Sequence, residues 1–210
     1  KNHEYVNLHN EIRNKFGGAN QVIIMVQVRD EEDGGEHKTI FNEETLKIVQ
    51  SIQKDLLKFN AVDRYKIMSL ASRSNKNFVT TSSGYSVENV MFPDVPNTPE
   101  GLKELQDTVY GIPWNYPALV SLDSKKTIIT VDFYEEQIDY GVCFKELRAL
   151  REKYENKNNI IAISGEPMHL GYIDSYVVDV LKILAYTVLA MMAMFLLYFR
   201  SKRGMLLPIV

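Results

Sequence analysis

The stretch from Val180 to Gly204, VLKILAYTVLAMMAMFLLYFRSKRG, decides how the rest of the chain is interpreted. It has no charged residue from Ile183 to Phe199, and its apolar character extends back to Val177. At about 1.5 Å per residue, such a helix matches the roughly 30 Å hydrocarbon core of a bilayer. We therefore predict a transmembrane helix over residues 173–199. The alternative is a buried helix of a soluble core, but such a helix normally keeps a polar face, which this stretch lacks.

Basic residues that follow this stretch predict its orientation. Arg200, Lys202 and Arg203 come directly after the apolar run, and clustered Lys and Arg beside a membrane helix mark the cytoplasmic side. Residues 1–176 are then expected on the periplasmic side of the inner membrane. Residues 200–210 are predicted to form a cytoplasmic turn and the start of a further membrane segment. We therefore expect a longer protein with several membrane helices, one of them upstream of this chain.

The predicted external part is acidic. Residues 180–210 hold four of the 24 basic residues and none of the 27 acidic ones, which leaves residues 1–179 with a formal net charge of −7. Binding of nucleic acid needs clustered Lys and Arg, so no nucleic-acid partner is expected.

The order of elements within residues 1–172 predicts an α+β domain. Four runs rich in β-branched and aromatic residues are predicted as strands, at residues 21–29, 64–70, 127–134 and 159–164. Three stretches have apolar residues at helical spacing, at residues 5–16, 43–59 and 142–154. Asn42 is the predicted N-cap of the second helix. Two strand-helix-strand units in this order predict a ferredoxin-like sheet with both helices on one face.

Residues 71–126 are predicted as an insertion between the two units. Apart from a short helix at residues 100–110, this segment is irregular and rich in Pro, Gly and aromatic residues. A long irregular segment on a compact domain is where binding residues are usually found.

Residue patterns for catalysis or metal binding are missing from the sequence. The four His residues have no ligand spacing, and the single cysteine, Cys143, opens a helical pattern, where we interpret it as a small apolar filler. No Ser, His and Asp arrangement follows from the spacing. We expect a protein that is not an enzyme, with no metal and no cofactor.

Four segments, taken in order, resemble the resistance-nodulation-division (RND) exporters, most closely their branch of lipid and hydrophobe transporters. The segments are FGGANQVIIMV, IFNEETLKIVQSIQKDLLKF, ALVSLDSKKTIITV and IIAISGEPMHLGYIDSY, and the join LYFRSKRGMLLPIV resembles the inner turn after the second transmembrane helix. The order and spacing carry the resemblance, which covers nearly the whole chain except residues 71–99.

The resemblance implies a porter-type external domain that captures or conducts hydrophobic or amphiphilic, lipid-like substrates. The partners it implies are membrane lipids, the substrate and either further copies of the chain or accessory envelope proteins. Two other classes stay open. One is a membrane-anchored sensor, in which an external ligand-binding domain signals through one helix, and the other is a structural assembly subunit.

Two groups of residues are candidate sites under this interpretation. Phe92, Trp114 and Tyr116 are the predicted substrate contacts, because apolar side chains beside Pro and Gly in the insertion cannot all reach the sheet; the alternative for Trp114 is that it fills a gap between helix and sheet. Gly165, Pro167 and Gly171 are the predicted coupling segment, with the two glycines as hinges before a helix that begins near Tyr172. The alternative gives these three residues ordinary duties at a strand end and a helix start.

Overall fold

The computed structural model describes residues 3–16, 20–82 and 84–199. It is a mixed α+β structure with two small sheets and one long apolar helix at its C-terminal end. In chain order its main elements are α1 (Glu4–Phe16), β1 (Gln21–Val28), α2 (Glu43–Leu56), β2 (Lys76–Thr81), β3 (Gly84–Asn89), α3 (Pro99–Tyr110), β4 (Lys126–Asp132), α4 (Tyr140–Tyr154), β5 (Asn159–Gly165) and α5 (Glu166–Phe199). The predicted cytoplasmic turn at residues 200–210 lies outside the described residues.

The core is built on a three-stranded antiparallel sheet in the order β4-β1-β5. Along the central strand β1, Val22, Ile24, Val26 and Val28 are buried, whereas Ile23 is half-exposed on the other face. This alternation follows from the period of two along a strand. Helix α2 contacts β1, α4 contacts β5, and the two helices contact each other, so both cover the same face of the sheet.

The predicted helices of the external part are confirmed. In α2 the buried residues recur at helical spacing, and the side chain of Asn42 accepts a hydrogen bond of 2.8 Å from the backbone N–H of Thr45, as an N-cap does. In α4 the predicted face is buried at Leu147 and Leu150. One stripe of each helix therefore supplies the layer that packs on the sheet.

The prediction of a strand at residues 64–70 is wrong. Residues Arg64–Lys66 form a short 3₁₀ helix, and only two isolated bridges, Val62 with Phe133 and Met68 with Thr130, join this segment to the edge of the sheet. The side chain of Asp63 accepts a hydrogen bond of 3.1 Å from the backbone N–H of Tyr65 and so caps the turn. A short polar side chain that binds the local backbone competes with strand pairing, which explains the interruption.

The second sheet is a hairpin that the sequence did not predict. Strands β2 and β3 pair antiparallel inside the predicted insertion, with Phe78 opposite Val87. Phe78 and Tyr85 are 60% and 81% exposed, so the hairpin buries little apolar surface of its own. Its Ser, Asn and Gly residues are typical of loops, which is why composition favoured an irregular segment.

Helix α5 follows the last strand without a linker. The prediction that the helix begins near Tyr172 is wrong, because α5 begins at Glu166, directly after β5 ends at Gly165. Pro167 lies in the first turn, where its fixed φ suits a helix and its missing N–H costs no hydrogen bond. The first turns of α5 contact α4, β1 and β5, so the helix starts as part of the domain.

Helix α5 is long and apolar enough to cross a membrane. It has 34 residues, about 50 Å at 1.5 Å per residue, and its candidate span covers residues 166–198. None of the most apolar window of this helix is buried against the rest of the protein. Exposed apolar residues all round a helix are unfavourable in water, so this finding favours a membrane span over a buried core helix.

Asp55 connects the two helices that cover the sheet. From α2, its carboxylate accepts hydrogen bonds from Lys153 Nζ at 2.6 Å and Tyr154 Oη at 2.7 Å on α4, and from Lys58 Nζ at 2.6 Å. Its side chain is 17% exposed. The hydrogen bond from Lys153, followed by those from Lys58 and Tyr154, holds the pKa of Asp55 far below its usual range.

We expect protonation of Asp55 to lower the free energy of unfolding in acid. Because the folded pKa is lower than the unfolded one, about 3.9, the contribution is fully present above about pH 5 and is lost as pH falls below the unfolded value. We expect Asp55→Asn to lower the free energy of unfolding at pH 7 by about 1 kcal/mol and to reduce its dependence on pH in acid. Denaturant titrations at pH 7 and pH 3 measure both effects. Asp107→Asn, an exposed acid on α3, is the control; equal effects of the two variants contradict the prediction.

Candidate functional site

The three predicted contact residues lie in different surroundings. Tyr116 packs against the core, with its ring centroid 4.7 Å from that of Tyr110 and its hydroxyl donating a hydrogen bond of 3.3 Å to the carbonyl of Leu122. Trp114 is 48% exposed. Phe92 is half-buried and is the only one of the three that lines the cleft described next. The structure therefore does not assemble them into one pocket.

The Phe92 cleft is a groove of about 510 Å³ beside the C-terminal half of α2. Its apolar lining residues are Leu57, Tyr65, Ile67, Ala71 and Phe92. Its basic lining residues are Lys54, Arg64 and Arg73, and its polar ones are Gln50, Gln53, Ser72 and Ser74. Clefts of this size that are mainly apolar with a few polar groups are typical of small-molecule sites.

Hydrogen bonds hold the loop that forms one wall of the cleft. Ser72 Oγ donates a bond of 3.0 Å to the carbonyl of Ile67, and Asn75 Nδ2 donates one of 3.2 Å to the carbonyl of Ser69. Ser69 in turn donates through its hydroxyl to Gln53 on α2. These bonds attach the loop both to itself and to the helix.

The opposite wall is attached to the same helix. Gln50 Nε2 donates a hydrogen bond of 2.7 Å to the carbonyl of Pro93, which places the neighbouring Phe92 ring over the cleft. The guanidinium carbon of Arg73 lies 4.5 Å from the centroid of this ring, in a cation–π contact. The cleft thus combines an apolar surface with a positive charge held at its edge.

The charges of the cleft are all positive. No acidic residue lines it, and in the described part of the chain no carboxylate lies within salt-bridge distance of Lys54, Arg64 or Arg73. The domain as a whole is acidic, with a net charge of −7 over residues 1–179. The cleft is therefore positive on a domain whose net charge is negative.

The predicted coupling residues lie where the domain meets α5. Gly165 ends β5 with a φ of 148°, and a Cβ atom there would lie 2.3 Å from the carbonyl oxygen of Gln21 on β1. Gly171 lies within α5, where a Cβ atom would lie 2.4 Å from both Phe144 Cβ and the carbonyl oxygen of Tyr140 on α4. Both glycines are sites of close backbone contact. The geometry favours a packing role for both glycines, and their role as hinges stays a prediction.

Cys143 and the potential metal ligands among the described residues do not form a candidate site. Cys143 is buried in the core, where desolvation raises its thiol pKa to about 12, in agreement with its interpretation as an apolar filler. Over residues 3–16, 20–82 and 84–199, no three His, Cys, Asp or Glu side chains come close enough together to hold a metal ion.

Sequence reasoning found only one residue of the cleft, Phe92. The basic residues were missed because Lys54, Arg64 and Arg73 belong to a helix, a 3₁₀ turn and a loop that are separate in sequence. The one local signal was RYK at residues 64–66, where an exposed aromatic residue stands between two basic ones.

The chain matches no known protein family model, and no curated protein is detectably similar to it in sequence.

Proposed function

We propose that this chain is the first external domain and the following transmembrane helix of an RND-type exporter of hydrophobic or amphiphilic, lipid-like molecules. The observation that carries the proposal is the arrangement of the sheet. Strands β4, β1 and β5 lie side by side and antiparallel, two isolated bridges join residues 62–68 to the edge at β4, and α2 and α4 together cover one face. A ferredoxin-like repeat, which the resemblance implies for a porter-type domain, has a fourth strand at the position of residues 62–68 and both helices on one face, so this arrangement supports the proposal.

Two further features support the proposal. The Phe92 cleft offers an external domain an apolar surface for a substrate. The first turns of α5 are packed on α4, β1 and β5, which joins that domain directly to the helix in the membrane. A transporter needs such a connection, because movement of its membrane helices has to reach the external domain.

An efflux assay tests the function. The intact protein that contains this chain is produced in a host lacking its own exporters, and retention of a fluorescent single-chain amphiphile is measured. The proposal predicts lower retention than in cells without the protein. Unchanged retention, together with a kinase or coiled-coil pattern downstream of residue 210, contradicts it and favours the sensor class.

The proposed location is the inner membrane, with residues 1–176 in the periplasm and residues 200–203 in the cytoplasm. We expect a membrane-impermeant maleimide to label Leu122→Cys in intact cells, since Leu122 is an exposed turn residue. Ser201→Cys is expected to react only after the membrane is opened. The native Cys143 is buried and serves as the unreactive background. Labelling of Ser201→Cys but not Leu122→Cys in intact cells reverses the orientation.

Substrate contact by the insertion is tested with Phe92→Ala and Trp114→Ala. We expect each variant to weaken binding of a fluorescent hydrophobe by about threefold to tenfold, because each removes an apolar contact surface. The melting temperature is expected to change little for Trp114→Ala, since the side chain is half-exposed. A lower melting temperature with unchanged affinity contradicts the contact role of that residue. Val142→Ala, which removes an exposed apolar side chain on α4 outside the insertion, is the control.

A further inference from the structure

The Phe92 cleft has two chemically different parts. Leu57, Ile67 and Phe92 form an apolar surface, and Arg64 and Arg73 lie on the same cleft beside it. A ligand that satisfies both parts has an apolar chain and a negatively charged end. A neutral hydrophobe uses only the first part, and a cation is repelled by the second.

We propose that the Phe92 cleft selects amphiphiles with an anionic headgroup, a carboxylate or a phosphate attached to an acyl chain. This proposal rests on the proposed function, since it names the substrate class of the same external domain. It goes further because nothing in a general preference for hydrophobic molecules requires a charge at the headgroup.

Arg73 is the residue that we expect to bind the headgroup. Its guanidinium lies against the face of the Phe92 ring, and the residue is exposed at the surface. A guanidinium that stacks on a ring keeps its N–H edge available, and this planar edge matches the oxygens of a carboxylate or phosphate. Arg64 and Lys54 add positive charge on the same cleft without an acidic partner.

The net negative charge of the domain limits which anions the cleft binds. An acidic domain repels anions in general, so an anion is held only where the local charge is reversed and an apolar surface adds binding energy. The apolar chain and the headgroup are therefore both needed. Simple anions without a chain are expected to bind the cleft weakly.

Photo-crosslinking tests this selectivity. The intact protein that contains this chain is placed in nanodiscs of phosphatidylcholine. It is exposed to three diazirine probes with the same dodecyl chain, one ending in a carboxylate, one in an alcohol and one in an amine. Mass spectrometry then compares labelling of peptides that cover residues 50–74 and 92 with labelling of α5 in the same molecules. The α5 signal corrects for the different partitioning of the probes into lipid.

We expect the carboxylate probe to label the cleft, relative to α5, about threefold to tenfold more than the alcohol probe, and the amine probe least. The double variant Arg64→Gln, Arg73→Gln is expected to reduce carboxylate labelling to the alcohol level and to leave alcohol labelling unchanged. The double variant Lys76→Gln, Lys103→Gln removes two exposed charges outside the cleft and is expected to change neither. An unreactive Cys143 shows that each variant is folded.

A second arm identifies the source of the headgroup. Phosphatidylglycerol with a diazirine in its chain is built into the nanodisc in place of the free probes. Labelling of the cleft by the free carboxylate probe indicates that the ligand is a dispersed amphiphile. Labelling by the built-in lipid alone indicates that the ligand is a lipid of the bilayer. Either result agrees with selection of an anionic headgroup.

The failures of the two proposals are distinguishable. Equal labelling of the cleft by the carboxylate and alcohol probes overturns the selectivity, while the exporter proposal stands on its efflux assay. Absence of cleft labelling by every probe overturns both the selectivity and the role of this cleft in substrate capture. Efflux without cleft labelling shows an exporter that binds its substrate outside this cleft.

Discussion

Gly165→Ala is expected to destabilise the protein by about 3 kcal/mol, because the substitution adds backbone strain to a close backbone contact. The φ of 148° at Gly165 is one that residues with a Cβ atom rarely adopt, and strain of this kind costs about 1–3 kcal/mol. The new methyl group also lies 2.3 Å from the carbonyl oxygen of Gln21 and 2.9 Å from Val22 Cα. These atoms belong to the backbone of the central strand, so they cannot move aside without disturbing β1.

The measurement is the free energy of unfolding from denaturant titration, together with the yield of folded protein. Gly111→Ala is the matched control, because Gly111 has a φ of −71° and an added Cβ atom there meets only ordinary contacts at 3.5 Å. A Gly165→Ala variant as stable as the Gly111→Ala variant shows that this end of β5 is free to adjust, and the close-contact interpretation is then wrong.

Gly171→Ala is expected to destabilise the junction between α4 and α5 by about 2 kcal/mol. Alanine is the better helix former by about 1 kcal/mol, so helix propensity alone predicts a gain. Against this, the methyl group would lie 2.4 Å from Phe144 Cβ and from the carbonyl oxygen of Tyr140. Overpacking costs about 1–3 kcal/mol or more, and here one contact is backbone, so the loss outweighs the gain.

The rate at which Cys143 becomes reactive reports on this junction, because Cys143 is buried and adjacent to Phe144 on α4. We expect faster modification in Gly171→Ala than in wild type or in Gly111→Ala. A variant that is more stable than wild type contradicts the packing role, since only helix propensity then acts.

Efflux measurements on the same two variants address the hinge prediction. If stability falls together with transport, the glycines act through packing at the strand end and the helix crossing. If transport falls in a variant whose stability and folded yield are normal, the hinge role is supported. Transport at a normal level in a stable variant rules it out for that position.

The sequence by itself determined the parts of this protein that depend on local patterns. The β-branched run at residues 21–29 predicts a strand, and the spacing in α2 with Asn42 before it predicts a capped helix. The uncharged run from Ile183 to Phe199 likewise predicts a long apolar helix. These features were predictable because the period of an element and the polarity of its neighbours are properties of consecutive residues.

Only the tertiary structure decided the features that depend on distant segments meeting. The turn at Arg64–Lys66 replaces a strand because Asp63 caps it, and α5 begins at Glu166 because its first turns pack on α4. Gly171 is suited to that crossing by its distance to Phe144, a residue 27 positions earlier in the sequence. The Phe92 cleft likewise combines a helix, a turn and two loops whose basic residues are ordinary surface residues in sequence. These basic residues form a site only because folding brings them together around one apolar surface.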